Sequence, residues 1–355
     1  MYIYIIILLF CYILTILNNQ NVKKENKKNF YKVIYILIII FFVFIVGLRS
    51  DKVGMDTIVY KGEFFRLSKK NFSYLFKYNL LDEIGYAFLN ILFGKIGLSW
   101  LCYKIFMASL FIVPVSILIY KNSNNCFFSL VLFIILGWLT YSMSTMRQAV
   151  AIGLTIIAFL FEKKNKKIMF FLFSALAISF HNSTFIIFIY YIFLKMPLNK
   201  NNKLIWLTFG FISVVLGLGT FRTYMFKIFN YFGKTYGYDN NTGGNLMEIF
   251  LIVTLIIGAF FINKDNDEDY IRYYKAIFLA AILLPIIKVN PALFRVYQYF
   301  SIYQIIFIPM MLSKIKEKNF RLIGYIGYNT VFLYLFFAKI IVESNQLIPY
   351  KFFWM

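Results

Sequence analysis

The chain has 355 residues, of which 61% are hydrophobic and only 15% charged, whereas ordinary soluble domains run about 45–50% apolar with about 25% charged, so a soluble globular protein is excluded. Its formal net charge of +22 would in a soluble chain point to nucleic acid. Here the basic residues form short runs between apolar stretches, so they read as membrane topology signals, and no nucleic acid is expected as a partner.

A membrane helix needs about 20 mainly apolar residues. In chain order the candidate spans fall near residues 2–18, 31–48, 100–120, 126–142, 146–161, 168–181, 183–195, 204–220, 246–262, 276–290, 292–312 and 322–341. The first, YIYIIILLFCYILTIL, lacks a basic leading region and a small-residue cleavage site, and reads as a retained helix. The expected fold is therefore all-α: a polytopic integral membrane helix bundle forming one domain over residues 1–355, with about twelve transmembrane helices.

The lysine-rich linkers NNQNVKKENKKNFYK, EKKNKK, KMPLNKNNK, NKDNDEDYIRYYK and SKIKEKNFR, with Lys121 in KNSNN, hold 20 basic residues in about 56 positions. Assigned to the cytoplasm they satisfy the positive-inside rule. The opposite side then carries the long loop 49–83, the Arg147 turn, a second loop over 221–245, the turn from Lys288 to Arg295 and the C-terminus, with 14 basic residues in about 90 positions. Parity requires that EIGYAFLNILFGKIGL, residues 83–98, does not cross, so a re-entrant or interfacial helix is expected near 84–98 and both termini are expected outside.

Of seven arginines against 30 lysines, Arg49, Arg66, Arg147, Arg222 and Arg295 fall on the outer side. Lysine is enough to set orientation, whereas a guanidinium forks onto phosphate oxygens, so this set points to anion recognition, with snorkelling to lipid phosphates as the alternative. Arg147, in YSMSTMRQAVAIGL, sits between two apolar segments with almost no loop; Arg295, in KVNPALFRVYQYF, precedes Tyr297 and Tyr299. An arginine near hydrocarbon costs about 2.5–3.5 kcal/mol on insertion scales and is usually retained for a cavity or partner. Arg49 closes the second span, where a helix-end snorkel competes with function.

His181 lies in ALAISFHNSTFIIF, where a polar cluster interrupts an apolar run: either an interfacial turn or a proton carrier. Asp56, between Gly54 and Tyr60, is the best outer carboxylate, with a surface ion pair as its plain alternative. Outer-loop aromatics such as Tyr60, Phe64, Tyr74, Tyr78, Tyr86, Tyr224, Tyr231, Tyr236 and Tyr238 suit either a sugar groove or an interfacial belt. Cys11, Cys102 and Cys126 show no paired spacing and His181 is the single histidine, so neither a disulfide framework nor a metal centre is indicated. No Walker lysine loop, HExxH or GxSxG occurs, which argues against an ATP-driven pump, a zincin and a serine hydrolase.

Taken in order, GLRSDKVGMDTIVYKGEFF, DEIGYAFLNILF, MRQAVAIGL, EKKNKK, LAISFHNSTFIIF and FRVYQYF resemble the EpsG family of Wzy-type polysaccharide polymerases. Residue by residue, the family pattern falls on Arg49, Gly54, Asp56 and Tyr60, on Gly85 and Tyr86, on Arg147 and Gln148, on His181 and Ser183, and on Arg295, with Thr57 where an aromatic usually follows the loop aspartate. The resemblance implies a fold like that of GT-C-type membrane glycosyltransferases in a bacterial cytoplasmic membrane, with the active site on the outer face. It implies transfer of a glycan from undecaprenyl diphosphate to the non-reducing sugar of a second lipid-linked repeat unit, without metal or other cofactor. Arg147 and Arg295, with Arg49 in support, would hold the leaving diphosphate, and His181 or Asp56 would serve the acceptor hydroxyl. Tyr60, Gln148, Ser183, Tyr86 and Tyr297 would complete the binding surface. Partners are then lipid-linked oligosaccharides, membrane lipids and, as a further candidate, a chain-length regulator. An O-antigen ligase, a lipid-linked oligosaccharide flippase and a membrane acyltransferase remain as rivals. A flippase should show repeats or mid-membrane charges beyond Lys95, Lys104, Glu248 and Lys339, and an acyltransferase leaves the arginines unexplained.

Overall fold

The structure is a computed structural model that describes residues 2–21, 25–77, 83–198, 202, 206–208, 245–262, 267–287, 293–342 and 346–355. Among them the chain is all-helical, its one extended pairing being an isolated bridge between Arg49 and Phe352. The helices divide into two compact units, residues 1–184 with 322–355 and residues 185–321.

The first unit holds α1 (Tyr2–Asn21), α2 (Glu25–Gly47), α3 (Thr57–Leu67), a 3₁₀ turn (Phe72–Lys77), α4 (Ile84–Ile96), α5 (Trp100–Asn122), α6 (Cys126–Ile135), α7 (Trp138–Ser144), α8 (Met146–Glu162), α9 (Lys167–Phe180) and a second 3₁₀ turn (Asn182–Phe185) that runs just past its boundary. α8 packs between α5 and α9, α5 also packs on α2, α1 on α6, and α4 on α3 and α9. Starts are locally encoded where side-chain caps exist: Ser99 accepts from the Cys102 amide at 3.3 Å to open α5, and Asn125 from the Phe128 amide at 3.1 Å to open α6. α6 is apolar on every face, and residues Phe127 to Ile135 are all buried. The helix ends after Ile135 because Gly137 takes the left-handed conformation, φ +82°, and α7 departs at 49°.

The second unit holds α10 (Ile186–Lys195), α11 (Asn245–Phe260), α12 (Glu268–Ile287), α13 (Phe294–Ser301) and α14 (Gln304–Ser313), with α12 packed on all four others. Buried Lys275 of α12 donates to the Leu194 and Met196 carbonyls at 3.0 and 2.6 Å, closing the C-terminal end of α10. α15 (Lys318–Ile341) starts at the edge of this unit and runs almost wholly in the first.

About twelve crossings are expected from the sequence; among the described residues three helices are long and apolar enough to cross a membrane, within α2, α5 and α15, or four if the bent pair α6–α7 is one span. Several of the other apolar stretches form shorter or divided helices. The stretch 168–181 is a 14-residue helix that stops at His181, about 21 Å against a hydrocarbon core of about 30 Å. The stretch 183–195 begins as a 3₁₀ turn, and 292–312 divides into α13 and α14. The stretch 204–220 and the loop over 221–245 lie almost wholly outside the described residues. Residues 84–96 form a 13-residue helix with left-handed residues at both ends, Glu83 and Gly97.

The two ends of the first unit are chemically distinct. At one, Lys163 Nζ of EKKNKK reaches Asn122 Oδ1 in KNSNN at 2.9 Å, so these two lysine turns meet. At the other, residues 346–355 lie along the segment that follows α2: Ser50 N donates to Lys351 O and Phe353 N to Leu48 O, both at 2.8 Å, and Gly54 N donates to Gln346 O at 2.9 Å. The Tyr350 hydroxyl reaches Ile45 O at 2.6 Å. Tyr4, near the start of α1, donates to Leu347 O at 3.4 Å at this same end.

Candidate active site

The site forms where the first turn of α8 meets α3, α4 and the C-terminal end of α9. Arg147, the second residue of α8, has its guanidinium carbon 5.3 Å from the Tyr60 ring centre and 5.1 Å from that of Tyr86. The two rings stand edge to face, 6.1 Å apart, and both are buried. A cation against two aromatic faces is held electrostatically and sterically, yet the Arg147 side chain keeps 32% of its exposure. Burial raises the Tyr60 phenol to about 12, with Asp56 and Glu83 adding to the rise and Arg147 opposing it, so Tyr60 faces the guanidinium as a neutral phenol.

Glu83 joins this cation to the histidine. Its Oε2 lies 2.6 Å from Arg147 Nη1 and its Oε1 2.5 Å from His181 Nδ1. Local preferences do not account for it. It sits at the N-cap of α4 yet makes no side-chain cap bond, and its φ of +56° is left-handed, rare for a residue other than glycine. Such departures are concentrated at functional sites. Packing places it: a Cβ on Gly85 would collide with Ser179 of α9, so only glycine lets α4 approach closely enough to bring Glu83 to His181, the C-cap of α9. A carboxylate only accepts hydrogen bonds, so in this contact His181 Nδ1 is the donor. His181 Nε2 is buried and has no hydrogen-bond partner among the described residues. Glu63, one helical turn after Tyr60 and within electrostatic reach of Arg147, likewise has a buried Oε2 without a hydrogen-bond partner among the described residues.

Four of the sequence-predicted residues thus meet: Arg147, His181, Tyr60 and Tyr86. Gln148 is buried on α8 beside Arg147, and Ser183 lies two residues beyond His181 in the 3₁₀ turn. Asp56 is a half-buried residue at the N-cap of α3, with no side-chain cap bond, one turn before Tyr60. Arg49, expected in support at the diphosphate, is held by the protein itself. It is completely buried, with Nε donating to Val53 O at 3.2 Å, Nη1 to Val46 O at 2.5 Å, and Nη2 to Met143 O at 2.8 Å and Thr57 Oγ1 at 3.3 Å. The guanidinium is enclosed by protein acceptors and ties the loop after α2 to the end of α7. Gly54, at φ +91° with Met143 O where a Cβ would stand, belongs to the same tie.

Arg295 and Tyr297 belong to the second unit, on α13, the first exposed and the second buried. Arg222, Tyr78, Tyr224, Tyr231, Tyr236, Tyr238 and Lys288 lie outside the described residues. Sequence reasoning missed Glu83 and Asp51. Asp51 accepts from Trp100 Nε1 and Lys61 Nζ at 2.7 Å and from buried Lys104 Nζ at 3.1 Å. Burial works to raise the Asp51 carboxyl, but these donors and the Lys104 charge outweigh it and hold it at about 2. Among the described residues no group of three His, Cys, Asp or Glu side chains is arranged to hold a metal ion.

The cluster pairs a cation reachable from outside with a half-buried imidazole–carboxylate pair, an arrangement suited to receiving an anionic leaving group and a proton. No curated protein and no solved structure matches the chain. A family model, that of the EpsG family, matches residues 32–352. With motifs in the expected order and this match over nearly its whole length, the chain belongs to the EpsG family, a family of Wzy-type polysaccharide polymerases.

Proposed function

We propose that the protein lengthens a polysaccharide by transferring a growing glycan from undecaprenyl diphosphate to the non-reducing sugar of a second lipid-linked repeat unit. The observation that carries this reading is the sharing of Glu83 between Arg147 and His181. An acceptor hydroxyl oxygen attacks the anomeric carbon, the bond from that carbon to the diphosphate oxygen breaks, and its electron pair leaves with the diphosphate. Arg147 meets the charge that develops there, and its fork matches phosphate oxygens. The hydroxyl proton passes to His181 Nε2, whose ring is oriented by the Nδ1–H bond to Glu83. Tyr60 and Tyr86 fix the guanidinium and offer faces to sugar rings. Asp56 is the alternative group for orienting the hydroxyl, and Arg295 and Tyr297 are further residues proposed for substrate binding.

In this reading the protein is a multi-pass component of a bacterial cytoplasmic membrane, of GT-C-like architecture with about twelve crossings, working on the outer face without a metal. A chain-length regulator is its natural further partner. The test is glycan length in a deletion strain complemented with Arg147→Ala or Arg295→Ala. Each should abolish chain extension at normal protein level and cause single repeat units on undecaprenyl diphosphate to accumulate. Arg147→Lys should be impaired as well, since lysine keeps the charge but not the fork. Long polymer in both alanine variants would sink the site; single repeats retained on the inner face of a deletion strain would favour a flippase.

A further inference from the structure

Arg147 is already engaged. In the structure its charge is met by Glu83 Oε2 at 2.6 Å, so a diphosphate must compete for it. The competition is unequal, because a diphosphate offers at least two negative charges and several oxygens to one guanidinium. Exposure favours release of the arginine over the glutamate: the Arg147 side chain is 32% exposed, those of Glu83 and His181 15% and 13%. Glu83 cannot follow. Its Oε1 is bonded to His181, its backbone starts α4 in a left-handed turn, and two residues later Gly85 is wedged against Ser179. When Arg147 moves to a ligand, the whole carboxylate charge is left facing the imidazole.

We infer that Glu83 is a positioning residue that couples the two halves of the reaction: it weakens as a partner of Arg147 when the donor diphosphate binds, and thereby makes His181 Nε2 a stronger proton acceptor only when the leaving group is in place. This rests on the function proposed above and adds an order to it, donor first and base second. A carboxylate shared with a guanidinium gives a neighbouring imidazole less field than one facing it alone, and a positive charge two contacts away opposes protonation directly. The charged and titratable groups around His181 are consistent with one dominant partner. Glu83 touches it from the start of α4, with Lys95 at the far end of that helix. Arg147 of α8 reaches it through Glu83, and Asp56, Tyr60 and Glu63 of the α3 region and Tyr86 of α4 stand behind Arg147. Lys167, the one charged residue of α9, is at its opposite end, and the following turn, Asn182–Phe185, is uncharged.

His181 is the single histidine in the chain, so histidine labelled with ¹⁵N in the ring gives a spectrum of this residue alone. The full-length protein in lipid nanodiscs, at fixed neutral pH, would be compared with and without undecaprenyl diphosphate in the bilayer, with binding read separately by ³¹P resonance. In the wild type the ligand should bind and move both ring signals toward the imidazolium pattern. Glu83→Gln should bind it at least as tightly, its competitor for Arg147 having lost its charge, but the ring signals should move little, and kcat for transfer should fall about 10²-fold without a rise in donor KM. Arg147→Ala, which frees the carboxylate without ligand, should already show displaced ring signals, a readout that survives if the Glu83 variant misfolds. Binding with an equal ring response in wild type and Glu83→Gln, or undisplaced signals in Arg147→Ala, would overturn the coupling and leave the function standing. Absence of binding to the wild type would overturn both.

Discussion

Replacing Arg49 by alanine should destabilise the protein and should not act selectively on substrate binding. The guanidinium donates to three backbone carbonyls, those of Val46, Val53 and Met143, and to the Thr57 hydroxyl, with none of its surface exposed. Hydrogen bonds from a charged group contribute about 1.5–3 kcal/mol each, so three carbonyl bonds set an upper bound near 4.5–9 kcal/mol. Relaxation of the loop and partial entry of water reduce this, and a loss of about 3–5 kcal/mol is expected, at the high end of single substitutions. Burial also lowers Arg49 itself, to about 10, so it remains charged at neutral pH and the bonds keep their charge assistance. Arg49→Lys places one ammonium among acceptors spaced for a planar fork and should recover about half of the loss. Thermal unfolding of the purified protein in detergent would give the stability change, and polymer length normalised to folded protein would give the activity. A variant of wild-type stability that makes no polymer would refute the reasoning and return Arg49 to the substrate.

Two further substitutions test the framework around the site. Gly85→Ala should push α4 away from Ser179, loosen the Glu83–His181 contact and reduce polymerisation about 10-fold or more; Ser179→Ala, which removes the nearest atom, should restore part of it in the double mutant. Asp51→Asn should cost about 1–2 kcal/mol at neutral pH. The figure follows from a carboxyl held at about 2 against an ordinary 3.8, discounted because the side chain is 28% exposed. Because the folded value is depressed, this contribution is complete above about pH 4 and fades as pH falls toward 2. The denaturation midpoints of wild type and Asp51→Asn should therefore converge in that window, and a constant gap down to pH 2 would exclude the ion pair as the cause.

Much of the cluster was legible in the residues. Arg147 stood out because arginine is rare in this chain and sits between two apolar segments, and His181 because it is alone in a polar break; the structure brings both to one place, with Tyr60 and Tyr86 as the surrounding rings. Glu83 was not legible. A glutamate just before a helix is ordinary in sequence, and its partners are 64 and 98 positions away, joined to it only by the close packing of α4 on α9 that Gly85 permits. The enclosure of Arg49 was not legible either. Its setting at a helix end suggested a ligand or a snorkel, whereas its acceptors are Val46, Val53 and Thr57 nearby and Met143, 94 positions on, a contact that no local pattern foretells. Helix boundaries were least legible where composition is continuous but the backbone is not: the apolar run over 292–312 gives no sign that α13 and α14 are separate helices.

The strap formed by residues 346–355 has a practical consequence for mapping this protein in its membrane. Reporter fusions are often made to progressively shortened chains, on the assumption that what precedes the junction keeps its native placement. Any fusion upstream of Gln346 deletes the segment that bonds Leu48, Ser50 and Gly54 and places Tyr350 against Ile45. The loop carrying Arg49 and Asp51 would then be uncovered in every such fusion, including those whose junctions lie far from it. Insertion of a reporter into an intact chain, or cysteine labelling at exposed loop positions, leaves the strap in place and reports on the folded protein.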